Sequence, residues 1–215
     1  MALAKALLHP AVKPLLFVLA LLPFAWLTYG AFTNNLGANP AEYLIRATGD
    51  WTLRFLCITL AVTPLRVITG TPTLARFRRL LGLFVYFYVV LHLLSYSWFD
   101  MGFDVADIAK DIAKRPFILV GFSGFVLLTP LAATSFNRAV KAMGVKRWQA
   151  LHKLVYVIAG LGLLHFFWMR AGKNNFAEVS VYAAIVALLL GWRLAQFIKK
   201  KRLQPSPNGR SRLSN

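Results

Sequence analysis

Six apolar stretches, each near the length of a membrane span, leave this chain few folds to choose from. A spanning helix needs about 20 mainly apolar residues. Stretches of that length fall at roughly 13–33, 51–69, 80–99, 116–135, 149–169 and 177–198. The connections between them are short, with no room for a separate soluble domain. Only 15% of the residues are charged, against about a quarter in a soluble domain. The pattern predicts an all-α, polytopic six-helix transmembrane bundle over 1–199 and a basic, disordered tail over 200–215. The first stretch follows Lys5 and Lys13 as a signal peptide would. It is longer than a signal core and contains Pro23, so it reads as a retained helix.

Charge then orients the bundle. The net charge is +18, which in a soluble protein would suggest nucleic acid. Here it lies in short loops between spans, where Lys and Arg set topology. With the N-terminus inside, all seven acids (Glu42, Asp50, Asp100, Asp104, Asp107, Asp111 and Glu178) fall outside, matched by as many bases. The whole excess falls on the inner side. That is the positive-inside pattern, with both termini cytoplasmic, and nucleic acid drops out as a partner in favour of membrane lipid. In the longest outer connection, Val105, Ile108, Ala109 and Ile112 recur at helical spacing. Asp107 with Lys110, and Asp111 with Lys114, can pair on the other face of a short helix lying on the membrane surface.

Three of the four histidines lie within the spans. An ionisable side chain in a bilayer is costly and marks function by default. His92 stands thirteen residues past Arg79, about 20 Å into the third span from its inner end. His165 is five residues before Arg170 at the outer end of the fifth span. The two therefore share a level, and His152 lies about 20 Å further in. Facing imidazoles at one depth can fill both axial positions of a haem, which then carries electrons instead of activating ligands. Gly82, Gly160 and Gly162 are small enough to let a macrocycle approach. Thirteen residues turn an ideal helix roughly 220° beyond whole turns, so His152 and His165 do not share a face unless the helix is distorted. The third span carries Arg78 and Arg79 where an inner partner for His152 would stand. With Arg66 and Arg147 they could hold a phosphate or haem propionates, or simply set topology. At the outer end Arg115, Arg170 and Lys173 could pair with propionates. The lone Cys57 can form neither an internal disulfide nor an iron–sulfur site, and no Cys-x-x-Cys-His is present, so any haem is held non-covalently.

Several stretches together resemble one family. They are Asn39-Pro40-Ala41-Glu42-Tyr43 with Thr48-Gly49-Asp50-Trp51, Thr59 to Arg66, Arg78-Arg79-Leu80-Leu81-Gly82-Leu83, Leu91-His92, Lys114-Arg115-Pro116, Thr129-Pro130-Leu131-Ala132, Trp148 to Tyr156, and His165-Phe166-Phe167-Trp168. The chain is similar over nearly its whole length to the MsrQ (YedZ) family. These are haem-binding membrane subunits of the periplasmic methionine-sulfoxide reductase system, in the ferric-reductase-like transmembrane group. The resemblance implies a multi-pass protein of the bacterial inner membrane. It implies haem b on His92 and His165, with His152 also implicated and a second haem left open there. It further implies a flavin mononucleotide on the cytoplasmic side, where Arg66, Arg78 and Arg79 lie. Electrons would pass from the quinone pool or a cytosolic flavin reductase to a periplasmic molybdenum-containing catalytic subunit that reduces methionine sulfoxide. The catalytic site would then be on the partner. Two other readings remain open: a stand-alone transmembrane ferric or quinone reductase, and a transporter or assembly factor whose histidines are structural.

Overall fold

The computed structural model describes residues 2–171 and 176–202. Among these, every regular element is helical. In order they are α1 (Ala2–Leu8), α2 (Val12–Phe32), α3 (Pro40–Ile68), α4 (Arg78–Phe99), α5 (Val105–Lys114), α6 (Pro116–Ala133), α7 (Asn137–Met143), α8 (Val145–His152), α9 (Leu154–Ala171) and α10 (Ala177–Arg202). A 3-10 turn at Pro72–Phe77 leads into α4. Six segments are long and apolar enough to cross a membrane: Val12–Phe32, Pro40–Ile68, Pro72–Phe99, Pro116–Ala133, Val145–Ala171 and Ala177–Arg202. These are the six spans the sequence predicts. The tail is helical to Arg202; Arg210, Arg212 and Lys173 lie outside the described residues.

Two spans depart from expectation. The second begins at Pro40, well before 51. Asn39 caps it by accepting from the Glu42 backbone N–H, and Pro40 occupies the first turn, where a missing N–H costs nothing. Glu42 and Arg46 pair along the helix, so charges that look like loop residues ride on an extended helical end. The fifth span is interrupted at Lys153, which separates α8 from α9. His152 and His165 therefore stand on two helices, and the turn count along one ideal helix does not apply.

The core forms where α3 and α4 pack together and where α6 packs on α9, the two most extensive helix pairings. Leu53, Leu56 and Leu60 of α3 meet Leu81, Phe84, Val85 and Tyr88 of α4, with Leu128, Leu131, Ile158 and Ala159 beside them. Outward-facing Leu22, Trp26 and Leu188 are exposed, as lipid-facing residues should be.

Prolines inside the spans leave backbone groups that water cannot satisfy, and neighbouring helices satisfy them instead. At Pro23 the Tyr88 hydroxyl accepts from the Phe24 N–H (3.1 Å) and donates to the Ala20 carbonyl (2.8 Å). It thus stands between two groups that an unbroken helix would join. Pro64 leaves the Leu60 carbonyl without its usual donor, and Arg193 of α10 supplies one at 2.8 Å.

The expected surface helix is α5. Asp104 caps it through the N–H groups of Ala106 and Asp107. Asp107 pairs with Lys110 at 3.3 Å, as expected. Asp111 does not pair with Lys114. Arg115, at i+4, takes it at 2.5 Å, and the Tyr96 hydroxyl of α4 donates to it at 2.6 Å. These contacts tie the helix down onto the C-terminal end of α4.

Candidate functional site

Each histidine of the outer pair is oriented by the helix preceding it in the same hairpin. His92 on α4 donates from Nδ1 to the Ile45 carbonyl of α3 at 2.8 Å. His165 on α9 donates from Nδ1 to the Phe117 carbonyl of α6 at 2.7 Å. A carbonyl only accepts, so the proton sits on Nδ1 and Nε2 keeps its lone pair. That tautomer and that kind of partner are the usual support of a metal-bound imidazole.

The two rings approach each other with centroids 6.1 Å apart and planes at 73°. A metal–imidazole bond is about 2 Å, and the bonded nitrogen lies roughly 1 Å from its ring centre, so two imidazoles on opposite sides of one metal have centres on the order of 6 Å apart. The residues present fit one metal held between them.

Two glycines make this approach feasible. A Cβ on Gly49 would lie 3.1 Å from His92 Cε1, and one on Gly121 would lie 2.8 Å from His165 Nδ1. Each glycine is one helical turn past the carbonyl that its histidine bonds. The α3–α4 and α6–α9 hairpins thus repeat one arrangement of carbonyl, glycine and imidazole.

The pair opens on a cavity walled by α3, α4, α6 and α9. Leu53, Val85, Phe125, Leu128 and Ile158 make its sides apolar, and Gly124 and Gly162 flatten them. One mouth is polar, with Arg46, Asp50, Tyr96, Asp100, Arg115 and Arg170. Arg170 bonds Glu178 at 2.6 Å and lies 4.0 Å from Asp50. Burial holds the Asp100 carboxyl above its usual range, opposed by Arg115 and helped by Asp111 and Glu42. A flat, mainly apolar group with anionic ends would suit this cavity, its acids meeting the arginines at the mouth.

The inner candidates separate into two places. His152 lies outside the cavity, with Nε2 3.2 Å from the Thr134 hydroxyl and its ring 4.0 Å from that of Trp148. Trp148 itself donates to the Thr134 carbonyl. Arg79 donates to Asn137 at 2.7 Å and acts electrostatically on His152. Arg78 instead interacts with Arg66 and with Arg193. Among the described residues, no group of three or more His, Cys, Asp or Glu could hold a metal ion.

Of the glycines the sequence suggests, only Gly162 lines the cavity. A Cβ on Gly82 would lie 3.9 Å from the Thr59 side chain, and one on Gly160 would meet nothing within 4 Å. Gly49, Gly121, Arg46 and Arg193 are not among the site residues expected from the sequence. The Asn39 cap was the available signal for Gly49, because it moves the helix start and brings Gly49 to the depth of His92.

Six spans with two histidines converging across one cavity define a class of membrane proteins that the comparisons identify. A family model described as "Ferric reductase like transmembrane component" matches residues 48–163. The chain is 80% identical over 204 residues to "Protein-methionine-sulfoxide reductase heme-binding subunit MsrQ" of Polaromonas naphthalenivorans, covering 95% of this chain and 93% of that protein. A protein of the same name from Herminiimonas arsenicoxydans is 57% identical over 179 residues, covering 83% and 82%. "Magnetosome protein MamZ" of Magnetospirillum gryphiswaldense is 46% identical over 191 residues, 86% of this chain but 29% of that larger protein. No solved structure matches. The chain belongs to the MsrQ family of ferric-reductase-like transmembrane proteins.

Proposed function

We propose that the chain is a b-type cytochrome subunit of the bacterial inner membrane. It takes electrons from the quinone pool or a cytosolic flavin reductase. It delivers them to a periplasmic, molybdenum-dependent methionine-sulfoxide reductase that repairs oxidised proteins. The observation that carries this reading is the His92–His165 pair, with each Nδ1 bonded to a backbone carbonyl and the ring centres 6.1 Å apart. Haem b, if held by the Nε2 atoms of His92 and His165, would supply a one-electron carrier. The protein's share is to fix both imidazoles, keep the cavity apolar and place Arg46, Arg115 and Arg170 where acidic substituents would meet them.

His152 is engaged by Thr134 and covered by Trp148, which supports a single haem at the outer pair. A flavin mononucleotide at the inner end belongs to the same reading, close to Arg66 and Arg78, because the Arg79 side chain is turned to Asn137. Both termini lie in the cytoplasm, as the segregation of all acids to the other side supports.

His92→Ala and His165→Ala are each expected to abolish the low-spin haem spectrum of the purified protein, with iron falling from one per chain to near none. His152→Ala is expected to retain it. A wild-type protein without a Soret band after haem-replete expression would sink the cytochrome reading in favour of structural histidines. Electron delivery to an artificial acceptor without any periplasmic partner would favour a stand-alone reductase.

A further inference from the structure

Arg193 lies inside the bundle without a counter-charge. Its Nη2 donates to the Leu60 carbonyl of α3 at 2.8 Å, and its Nη1 to the Tyr156 hydroxyl of α9 at 2.7 Å. The guanidinium also sits over the Tyr156 ring, 5.1 Å from its centre. Both partners are neutral. The third donor, Nε, is buried with no partner. On the same stretch of α3 the Thr59 hydroxyl is also buried without a partner. Arg66 and Arg78 complete the cluster electrostatically, and among the described residues neither side chain forms a hydrogen bond or ion pair.

Every Asp and Glu of the chain belongs to the segments at the other end of the spans. Three guanidiniums therefore converge where the protein offers no anion. Like charges at close range repel, and an uncompensated charge away from water is costly. Topology alone accounts for arginines that point to water, but not for one drawn between three helices with a donor left over. A phosphate group has several acceptor oxygens and matches a guanidinium fork.

We propose that Arg193, Arg78 and Arg66 form a binding site for a phosphate group, anchored by the unpartnered Nε of Arg193. The carrier is either an inner-leaflet phospholipid headgroup or a soluble phosphomonoester such as flavin mononucleotide. The site rests on the preceding functional reading only for which of these carriers reaches it. It takes Arg193 as its third member and leaves Arg79 out.

The test uses the full-length, haem-loaded protein in detergent, with the Soret band of each variant as the check of fold. Flavin mononucleotide and riboflavin, which lacks the phosphate, are titrated by fluorescence. Phosphatidylglycerol and phosphatidylcholine retention is read by native mass spectrometry. A soluble carrier predicts that flavin mononucleotide binds more tightly than riboflavin, and that Arg193→Gln and Arg193→Lys each weaken it by about tenfold or more, the scale of a lost charge-assisted hydrogen bond. A lipid carrier predicts retention of phosphatidylglycerol over phosphatidylcholine, lost in the same variants. If the Arg193 variants lose the Soret band, Arg66→Gln and Arg78→Gln carry the test, and Arg79→Gln serves as a control expected to bind as wild type. The proposal is overturned if neither ligand binds the wild type with preference for its phosphate, or if the arginine variants bind as tightly as wild type. Lipid retention that depends on Arg193, with no flavin binding at all, would refute the flavin reading and leave the phosphate site standing.

Discussion

A single methyl group is the sharpest probe of the outer histidines. At Gly121 the added carbon would lie 2.8 Å from the His165 Nδ1, which is itself fixed to the Phe117 carbonyl. The ring must move and give up that bond. At Gly49 the contact would be 3.1 Å, to a ring carbon. Gly121→Ala is therefore expected to lower haem affinity by on the order of 1–3 kcal/mol, the cost of leaving a buried polar group unpaired. Gly49→Ala should cost less. Haem retention during competition with apomyoglobin measures both, and equal losses would contradict the distances. The ferric protein should also show the strongly anisotropic low-spin resonance of axial imidazoles whose planes are far from parallel, given the 73° between the rings. The histidines were legible in the sequence because an ionisable residue stands out in an apolar run. The glycines that seat them were not. Glu42, Arg46 and Asp50 made the first turns of α3 resemble a loop and left Gly49 outside the expected span.

Helix lengths were legible to within a few residues for four of the six spans, because hydrocarbon thickness sets them. What no periodicity revealed was where the helices break and what fills the breaks. Lys153 is an unremarkable residue at which to interrupt a span, and only packing shows that α8 turns His152 towards Thr134. Pro23 was visible, but its consequence depended on Tyr88, sixty-four positions beyond Phe24. Tyr88 lies one turn before His92 on the same face of α4, so its grip on α2 also steadies the helix that carries the ligand. Tyr88→Phe removes both bridging hydrogen bonds and is expected to cost about 1–3 kcal/mol, read as a lower midpoint for thermal loss of the Soret band. Adding Pro23→Ala lets the Phe24 N–H return to Ala20 and should recover part of the loss. A double variant that is the sum of its parts would mean that the hydroxyl does not act through the break.

At the scale of the molecule, charge segregation was the most legible feature, and the arrangement of cofactor sites the least. Fusions of alkaline phosphatase and of a fluorescent protein test the orientation. A reporter after Lys199 should fluoresce, and one after Met101 should show phosphatase activity. The reverse result would invert every assignment of inner and outer. The repeated hairpin makes a further prediction. Residues 1–115 and 116–215, co-expressed as separate chains, should associate in the membrane and yield a low-spin haem spectrum that neither gives alone. Each imidazole takes its orientation from a carbonyl within its own hairpin, Ile45 for His92 and Phe117 for His165. Neither half therefore waits for the other before its ligand is aimed. This sets an order for biogenesis. The two hairpins can leave the insertion machinery one after the other, each with its half of the clasp already formed. A haem arriving last would act as the rivet between them. A cell short of haem would accumulate a loosely joined but correctly inserted protein, ready to be completed, instead of one that must be degraded and remade.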